Sequence, residues 1–404
     1  MLARVLRRSA GVAAAATASA LLAGSASAQT APPGLIVGVG NFSHIVSSID
    51  RSIQFYRDVI GLELDGAVRT FSGDVVMKVG NLPPGANSLF ATLKVPGSPM
   101  GVEIIEYRDI ERKPAQPRFQ DPGAAALQLT VRDIDAIVAR VKKAGARINS
   151  AGGVPATIPG GSRVMFVQDP DGFFVELFQL AQPPATTAPA SSNVIGGGFE
   201  VMIGDTAQTM RAYKALGFDL QVGTTYDGTT LLMDTAGTPG GQFKRSAATI
   251  PGSAVTMAFL EFKDIDRTPL RSRLQDPGSP ILQLRASDIS AVITAWKAAG
   301  GEVISTGGEP AALGPTKLIL FRDANNLILE IIEAPPARSG DQETGVRPAA
   351  SGPPATRTRP SSAPKYGGSE PIPVDSRPGR ITVLGFRALD GRRGENRCSG
   401  LERV

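Results

Sequence analysis

The chain has 404 residues, of which 42% are hydrophobic, and it contains one histidine and one cysteine. These counts exclude a metal cage built from several histidines or cysteines, and they exclude a disulfide framework. The formal charge of +5 is unevenly placed, because residues 29–334 carry a net charge of −3 and the two ends carry the excess of Lys and Arg. The part that folds has no basic stripe for phosphates, so we expect no nucleic-acid partner.

The first 28 residues are typical of an export signal. Three arginines precede an Ala/Leu-rich stretch over residues 11–23, and Ala26-Ser27-Ala28 is a small-residue cleavage site. The pattern predicts a signal peptide (1–28) and a periplasmic or secreted mature protein, and it leaves the export route open. No later segment is apolar enough to predict a membrane span.

The central part of the chain repeats itself with an offset of 155 residues. Gln120-Asp121-Pro122-Gly123 recurs as Gln275-Asp276-Pro277-Gly278, and Leu127-Gln128-Leu129 recurs as Leu282-Gln283-Leu284. Such a repeat indicates two copies of one structural unit. The predicted domains are module 1 (36–181), a Pro/Ala/Thr/Ser linker (182–193), module 2 (194–334) and a disordered basic tail (335–404).

Each module itself contains one pattern twice. A strand over residues 37–46 is followed by a helix that Ser48 can cap and Gly61 can end. Short strands are predicted next, over residues 75–79, 89–95 and 102–107. The cycle then restarts with alternating apolar residues from Leu127 and a helix capped by Asp133. Each module is therefore a pair of β-α-β-β-β units, and the chain holds four of them.

Two stretches carry a family resemblance. Residues 42–64, from Phe42-Ser43-His44-Ile45-Val46 to Gly61-Leu62-Glu63-Leu64, and residues 166–177, with the turn Asp169-Pro170-Asp171-Gly172, resemble the vicinal oxygen chelate superfamily. That superfamily includes glyoxalases, extradiol dioxygenases, methylmalonyl-CoA epimerases and bleomycin-resistance proteins. The resemblance covers nearly all of residues 36–334, with module 2 degenerate. It implies an α+β fold in which four βαβββ units form two tandem cup-shaped modules.

The resemblance also implies where a metal would bind. Metal-binding members carry ligands at four positions, which fall on Asn41, Glu103, Ala126 and Glu176 in module 1 and on Gly198, Ala258, Ile281 and Glu330 in module 2. Module 1 thus offers an oxygen-only set, which would suit Mg²⁺, Mn²⁺ or Ca²⁺ and has no ligand at its third position. Glu103 and Glu176 are the candidate catalytic residues. We expect no metal in module 2.

Further residues are candidates for contact with a ligand. In a strand, side chains two apart share a face, so Phe174 and Phe178 should flank Glu176 inside the cup. Ser43, Gln128 and Glu200 are the other predicted ligand contacts. His44 lies three residues from Asn41 and should therefore point away from the cup, toward the helix layer.

The leading hypothesis is an exported protein that binds a small organic molecule in the cup of module 1 and has a degenerate metal site. The alternative is a lyase, isomerase or oxygenase that uses a divalent metal with Glu103 and Glu176. A third hypothesis, a purely structural or interaction protein, predicts a cup filled with side chains. The modules could pack against each other within one chain or across a homodimer.

Overall fold

Four βαβββ units follow one another along residues 34–333, which are the residues that the computed structural model describes. The predicted signal peptide (1–28) and basic tail (335–404) lie outside the described residues. Unit 1 contains β1 (Ile36–Ile45), α1 (Ile49–Gln54), β2 (Glu63–Leu64), β3 (Arg69–Ser72), α2 (Asp74–Gly80), β4 (Asn87–Lys94) and β5 (Gly101–Arg108). Unit 2 contains β6 (Ala125–Val131), α3 (Ile134–Lys143), β7 (Ala156–Thr157), β8 (Arg163–Gln168) and β9 (Phe174–Gln179).

The second half of the described chain repeats this order. Unit 3 contains β10 (Val194–Ile203), α4 (Thr206–Ala215), β11 (Asp219–Gln221), α5 (Thr230–Ala236), β12 (Gln242–Thr249) and β13 (Thr256–Lys263). Unit 4 contains β14 (Pro280–Ala286), α6 (Ile289–Ala298), β15 (Glu302–Val303), β16 (Ala311–Leu313), β17 (Thr316–Arg322) and β18 (Ile328–Glu333). The α+β fold with four βαβββ units is as predicted. Among residues 34–333, no helix has the length and apolar character needed to cross a bilayer.

Local sequence explains where the first helix of each unit begins. Ser48, Asp133, Asp205 and Asp288 each lie in an extended conformation, and each side chain accepts a hydrogen bond from a backbone N–H in the first turn. Helix α1 continues into a π-helical turn, which ends at Gly61 with φ of 99°. The predicted caps Ser48 and Asp133 are confirmed.

One predicted strand is a helix. Residues 75–79 are rich in β-branched valine, which favours a strand, but they lie within helix α2. Val76 and Val79 are one turn apart and are both buried, because this face of α2 packs among the side chains of the sheet that units 1 and 4 share. Here the apolar contact in the folded protein outweighs the weak local preference for a strand.

The four units pair into two sheets, but not in chain order. The outer sheet joins units 1 and 4, in the strand order β15-β17-β18-β14-β1-β5-β4-β2, with β16 beside β17 and β3 beside β4. The inner sheet joins units 2 and 3, in the order β11-β12-β13-β10-β6-β9-β8-β7. Strand β1 pairs antiparallel with β14, and β10 pairs antiparallel with β6. The outer sheet therefore combines the first and last units of the chain, whereas the predicted modules would combine unit 1 with unit 2 and unit 3 with unit 4.

Two connectors, residues 109–124 between β5 and β6 and residues 264–279 between β13 and β14, carry the chain between the sheets and lie against each other. The Arg118 guanidinium binds Asp121 at 2.7 Å, and the equivalent Arg273 binds Asp276 at 2.8 Å. Each aspartate then reaches the other connector: Asp121 accepts from the backbone N–H of Thr268 at 2.7 Å, and Asp276 from that of Lys113 at 2.8 Å. These paired contacts hold together the two segments at which the chain crosses from one sheet to the other.

Alternation along β1 separates the core from the cup. Phe42 and His44 face the apolar core between the sheets, where Phe42 packs against Phe173 at 5.1 Å between ring centroids. His44 is fully buried, and its Nε2 atom lies 3.1 Å from Oδ2 of Asp169 and 3.2 Å from the Tyr56 hydroxyl. Burial lowers the pKa of His44 to about 3, so the ring is neutral. The predicted orientation of His44, away from the cup, is confirmed, and its contacts are structural.

Candidate functional site

The outer sheet carries a cavity of ≈ 520 Å³, which we call the outer cup. Polar side chains from its four central strands meet there: Asn41 from β1, Glu103 from β5, Gln283 from β14 and Glu330 from β18. The apolar wall includes Val76 and Val79 of helix α2 together with Phe71, Phe90 and Leu320. A cavity of this size, mostly apolar with a few polar groups at its centre, suits a small organic molecule.

A single amide links the two carboxylates of the outer cup. The Nε2 group of Gln283 donates to Oε2 of Glu103 at 2.7 Å and to Oε2 of Glu330 at 2.9 Å. Glu103 also accepts from the Ser43 hydroxyl at 2.9 Å. Because one NH₂ group binds both side chains, their carboxylates are held close together on the same wall of the cavity.

The backbone fixes which end of the Gln283 amide faces the carboxylates. The N–H of Asn41 donates to Oε1 of Gln283 at 2.8 Å. Turning the amide over would set its NH₂ group against this N–H, so that donor would face donor. It would also set the amide oxygen against Glu103 and Glu330, so that acceptors would face acceptors. Gln283 therefore presents hydrogen-bond donors to the pair.

The surroundings keep these carboxyl groups easy to protonate. Burial raises the pKa of Glu103, although Ser43 and Gln283 partly offset the effect. Burial and the charge of Glu103 raise the pKa of Glu330 to about 7. Burial, with the charges of Glu330 and Glu103, raises the pKa of Tyr107 as well, so its hydroxyl stays a donor. The pair can thus hold one proton near neutral pH.

The rim of the outer cup is basic. Arg69 and Arg285 line the cavity and are exposed to solvent. The guanidinium of Arg69 lies 4.4 Å from the ring centroid of Phe90, and its charge lowers the pKa of Glu103, against the larger effect of burial. Two guanidinium groups above two carboxyl groups suit a ligand with oxygen atoms at one end.

The inner sheet carries a second cavity of ≈ 330 Å³, which we call the inner cup. Glu176 accepts from Nε2 of Gln128 at 2.6 Å, and Glu200 lies beside it. Burial and the charge of Glu200 raise the pKa of Glu176 well above its usual range, and burial raises the pKa of Glu200 to about 7. Arg245 is exposed at the rim and opposes both shifts. The wall is more aromatic than that of the outer cup and consists of Phe119, Phe166, Phe178 and Phe243 with Ile158, Val164, Leu232 and Leu260.

Strand register shows how the two cups correspond. Gln283 lies opposite Glu330 in the outer sheet, as Gln128 lies opposite Glu176 in the inner one. Ser43 pairs with Glu103, whereas the equivalent pair in the inner sheet is Glu200 with Ala258. Each cup thus has two carboxylates and one glutamine, but one carboxylate occupies a different strand.

The predicted site residues divide between the cups. Asn41 and Glu103 line the outer cup, and Ser43 lies beneath Glu103. Glu176, Gln128, Phe178 and Glu200 line the inner cup. Phe174 lies on the same face of β9 as Glu176 and Phe178, as predicted. Its ring packs below the cavity against Phe119, with 5.1 Å between the ring centroids.

The prediction that Glu103, Glu176 and Asn41 form one metal site is wrong. Glu103 and Asn41 belong to the outer sheet and Glu176 belongs to the inner sheet, because units 1 and 2 do not share a cup. The prediction assumed that units adjacent in the chain share a cup. The same assumption placed Glu330 in a separate module and gave no role to Gln283, although Gln283 belongs to a repeated motif. Arg69, Arg285 and Arg245 were also missed.

The residues present do not make a complete site for the divalent metal that the superfamily commonly uses. Within residues 34–333, no three His, Cys, Asp or Glu side chains converge as ligands. In the outer cup, the NH₂ group of Gln283 occupies the position between the two carboxylates, and an amide NH₂ is a donor that cannot ligate a cation. The position equivalent to a third ligand is Ile281 there and Ala126 in the inner cup.

The sequence comparisons support the family resemblance. Residues 38–177 match the model of the Glyoxalase/Bleomycin resistance protein/Dioxygenase superfamily. This part of the chain is therefore similar to that superfamily, and the resemblance seen in the sequence is confirmed. A 2-epi-5-epi-valiolone epimerase from an Actinomyces species is 28% identical over 150 residues, which cover 36% of this chain and 80% of the epimerase.

Two solved structures are similar to this chain. A candidate dioxygenase from Bacillus subtilis superposes with a TM-score of 0.50 at 16% identity, covering 75% of this chain and 87% of the other. A point mutant of glyoxalase I from Zea mays gives a TM-score of 0.47 at 17% identity, over 74% of this chain and 92% of the other. The Bacillus structure supports the four-unit fold over most of the described residues.

Proposed function

We propose that the outer cup binds a small hydroxylated carbonyl compound and epimerises or isomerises it by moving a proton. The observation that carries this proposal is the Gln283 amide in a ligand-sized cavity. Its Nε2 group donates to Glu103 at 2.7 Å and to Glu330 at 2.9 Å, which holds the two carboxyl groups close together. Two carboxyl groups that share one proton near neutral pH supply a base and an acid in the same site.

The chemistry follows from the order of these groups. The ionised carboxylate removes the proton from the carbon next to the carbonyl, so a C–H bond breaks and a carboxyl O–H bond forms. The protonated partner then returns a proton from the same wall: at a neighbouring carbon for isomerisation, or, once the planar enol has turned over in the cavity, to the other face of the first carbon for epimerisation. The Tyr107 hydroxyl and the rim guanidinium groups of Arg69 and Arg285 supply donors for the oxygen atom that gains charge.

The relative named as an epimerase supports this reaction class, since epimerisation inverts a carbon centre. The alternative built on Glu103 and Glu176 is not proposed, because these residues lie in different cups. Mg²⁺, Mn²⁺ or Ca²⁺ could bind in the outer cup only if the Gln283 amide left its position between the carboxylates. We also propose that the mature protein is exported, on the basis of residues 1–28 alone.

Deuterium exchange tests the proposal. The protein is incubated in D₂O with 2-epi-5-epi-valiolone as the first probe, and proton NMR follows deuterium entering the carbon next to the carbonyl. We expect exchange with the native chain and a loss of about 10²-fold or more in Glu103→Gln and in Glu330→Gln. Glu309→Gln, which changes an exposed carboxylate, serves as the control.

The same experiment includes a metal arm. We expect a chelator to leave the exchange rate unchanged, since the acid and the base are both side chains. Exchange that requires an added divalent cation would contradict the proposal. So would equal exchange rates in the native chain, Glu103→Gln and Glu330→Gln. A panel of other small hydroxy ketones extends the test to the substrate class.

A further inference from the structure

We propose that the inner cup is a second, separate binding site and that it takes a small organic cation, such as a protonated primary amine with an apolar body. The proposal concerns Glu200 and Glu176 and does not depend on the reaction proposed for the outer cup. Three observations carry it: a buried carboxyl group without a hydrogen-bond donor, a donor missing in comparison with the outer cup, and an aromatic wall.

The first observation is the state of Glu200. This residue is only 6% exposed, and it lines the cavity of ≈ 330 Å³. Among residues 34–333, no donor makes a hydrogen bond to its carboxylate, whereas Glu176 beside it accepts one from Gln128 at 2.6 Å. A buried carboxylate without a donor is costly, so a ligand that brings N–H groups to it would be bound favourably.

The second observation is the comparison with the outer cup. There, Gln283 donates to both carboxylates, and the pair is satisfied by the protein itself. In the inner cup, the second carboxylate comes from β10, at the position that Ser43 occupies in β1, and Gln128 reaches only Glu176. The inner cup therefore lacks one donor at the point where the outer cup has one.

The third observation is the wall around the pair. Phe119, Phe166, Phe178 and Phe243 line the cavity, and the ring centroids of Phe119 and Phe166 are 4.6 Å apart. Aromatic faces attract cations and also pack against apolar groups. Arg245, at the solvent-exposed rim, is the one cation among the residues that line this cavity, whereas the carboxyl groups of Glu200 and Glu176 lie in its interior. Carboxyl groups and aromatic rings inside the cavity, with the only lining guanidinium at its rim, favour a cationic ligand over an anionic one.

Three probes of one shape test the proposal by isothermal titration calorimetry on the full chain. Benzylamine is a cation, benzyl alcohol is neutral and benzoate is an anion. We expect benzylamine to bind at least about tenfold more tightly than either of the others at about pH 8. We also expect Glu200→Gln to weaken benzylamine binding about tenfold or more, and Glu330→Gln in the outer cup to leave its affinity unchanged.

The pH dependence is a second measurement that needs no variant. Glu200 faces Glu176 on β9 and Arg245 on β12, and lowering the pH through about 7 protonates Glu200 while a primary amine stays charged. The affinity for benzylamine should therefore fall between about pH 8 and about pH 5.5. Three results would overturn the proposal: equal affinity for benzylamine and benzyl alcohol, tighter binding of benzoate that is lost in Arg245→Ala, or loss of benzylamine binding in Glu330→Gln with Glu200→Gln unaffected.

Discussion

At the scale of single residues, the two cups differ by the position of one carboxylate. The outer cup has Ser43 on its first strand and Glu103 on the neighbouring one, and the inner cup has Glu200 and Ala258 at those positions. Gln283 lies between two carboxylates, while its counterpart Gln128 binds one. The same framework thus holds a carboxyl pair bridged by the protein in one cup and a pair left open in the other.

Burial of these carboxyl groups makes stability depend on pH. Burial raises the pKa of Glu200 to about 7. At pH values between the ordinary pKa of a glutamate and about 7, the folded chain therefore binds more protons at Glu200 than the unfolded chain does. Stability contributed by the neutral form is therefore present at low pH and is lost as the pH rises through 7. Glu261 has the opposite sign: burial alone would raise its pKa, but hydrogen bonds from Thr206, Tyr226 and Lys244 lower that pKa to about 2.

Glu200→Gln should therefore stabilise the protein at about pH 8 and have little effect at about pH 5. Glutamine has nearly the same shape as the neutral form of glutamate, and it does not ionise. We therefore expect a gain of about 1–3 kcal/mol in the free energy of unfolding at the higher pH. Denaturant unfolding at both pH values measures this. Glu261→Gln is the matched control and should destabilise at about pH 8. A Glu200→Gln variant that is less stable than the native chain at about pH 8 would contradict this explanation.

At the scale of elements, each cup depends on a helix that is held by a serine of the partner unit. The hydroxyl of Ser305 donates to the carbonyl of Val79 in α2 at 2.7 Å and accepts from the N–H of Leu320 at 2.9 Å. Ser150 does the same for the inner cup, with the carbonyl of Thr235 in α5 at 2.7 Å and the N–H of Phe166 at 2.8 Å. These contacts attach unit 1 to unit 4 and unit 3 to unit 2.

Replacing these serines should affect one cup at a time. Ser150→Ala leaves a buried carbonyl and a buried N–H without their partner, and we expect it to cost about 1–3 kcal/mol in the free energy of unfolding. It should also weaken benzylamine binding, because α5 forms part of the inner wall. Ser305→Ala should cost a similar amount and leave benzylamine affinity unchanged. If Ser305→Ala weakened benzylamine binding as much as Ser150→Ala, the two cups would not be independent.

Local patterns predicted most of these elements. Caps at Ser48 and Asp133 and the alternation along β1 and β9 gave the right helices, strands and facing residues, since they depend on hydrogen bonds and periodicity within a few residues. Helix α2 was misassigned as a strand because its valines have a local preference for strands, while their burial in the cup is set by residues far away in sequence.

At the scale of the whole molecule, the order in which units pair decides which residues share a site. The repeat of 155 residues, together with the pattern found twice in each module, predicted four units, and the fold contains them. The repeat could not predict that unit 1 pairs with unit 4, because β6 and β14 are equivalent strands and either could lie beside β1. Contacts between the connectors, such as those of Asp121 and Asp276, accompany this pairing and are visible only in three dimensions. For this reason Glu103 was paired with Glu176, and its actual partner Glu330 was not recognised.

The central claim is that Glu103 and Glu330 form one acid–base pair across units 1 and 4. Titration of the Glu330 carboxyl carbon by carbon-13 NMR, in the native chain and in two variants, tests it most directly. Burial and the charge of Glu103 raise the pKa of Glu330 to about 7, so Glu103→Gln should lower that pKa toward its usual range. Glu176→Gln, in the other cup, should leave it unchanged. A Glu330 pKa that responds to Glu176→Gln and not to Glu103→Gln would contradict the claim.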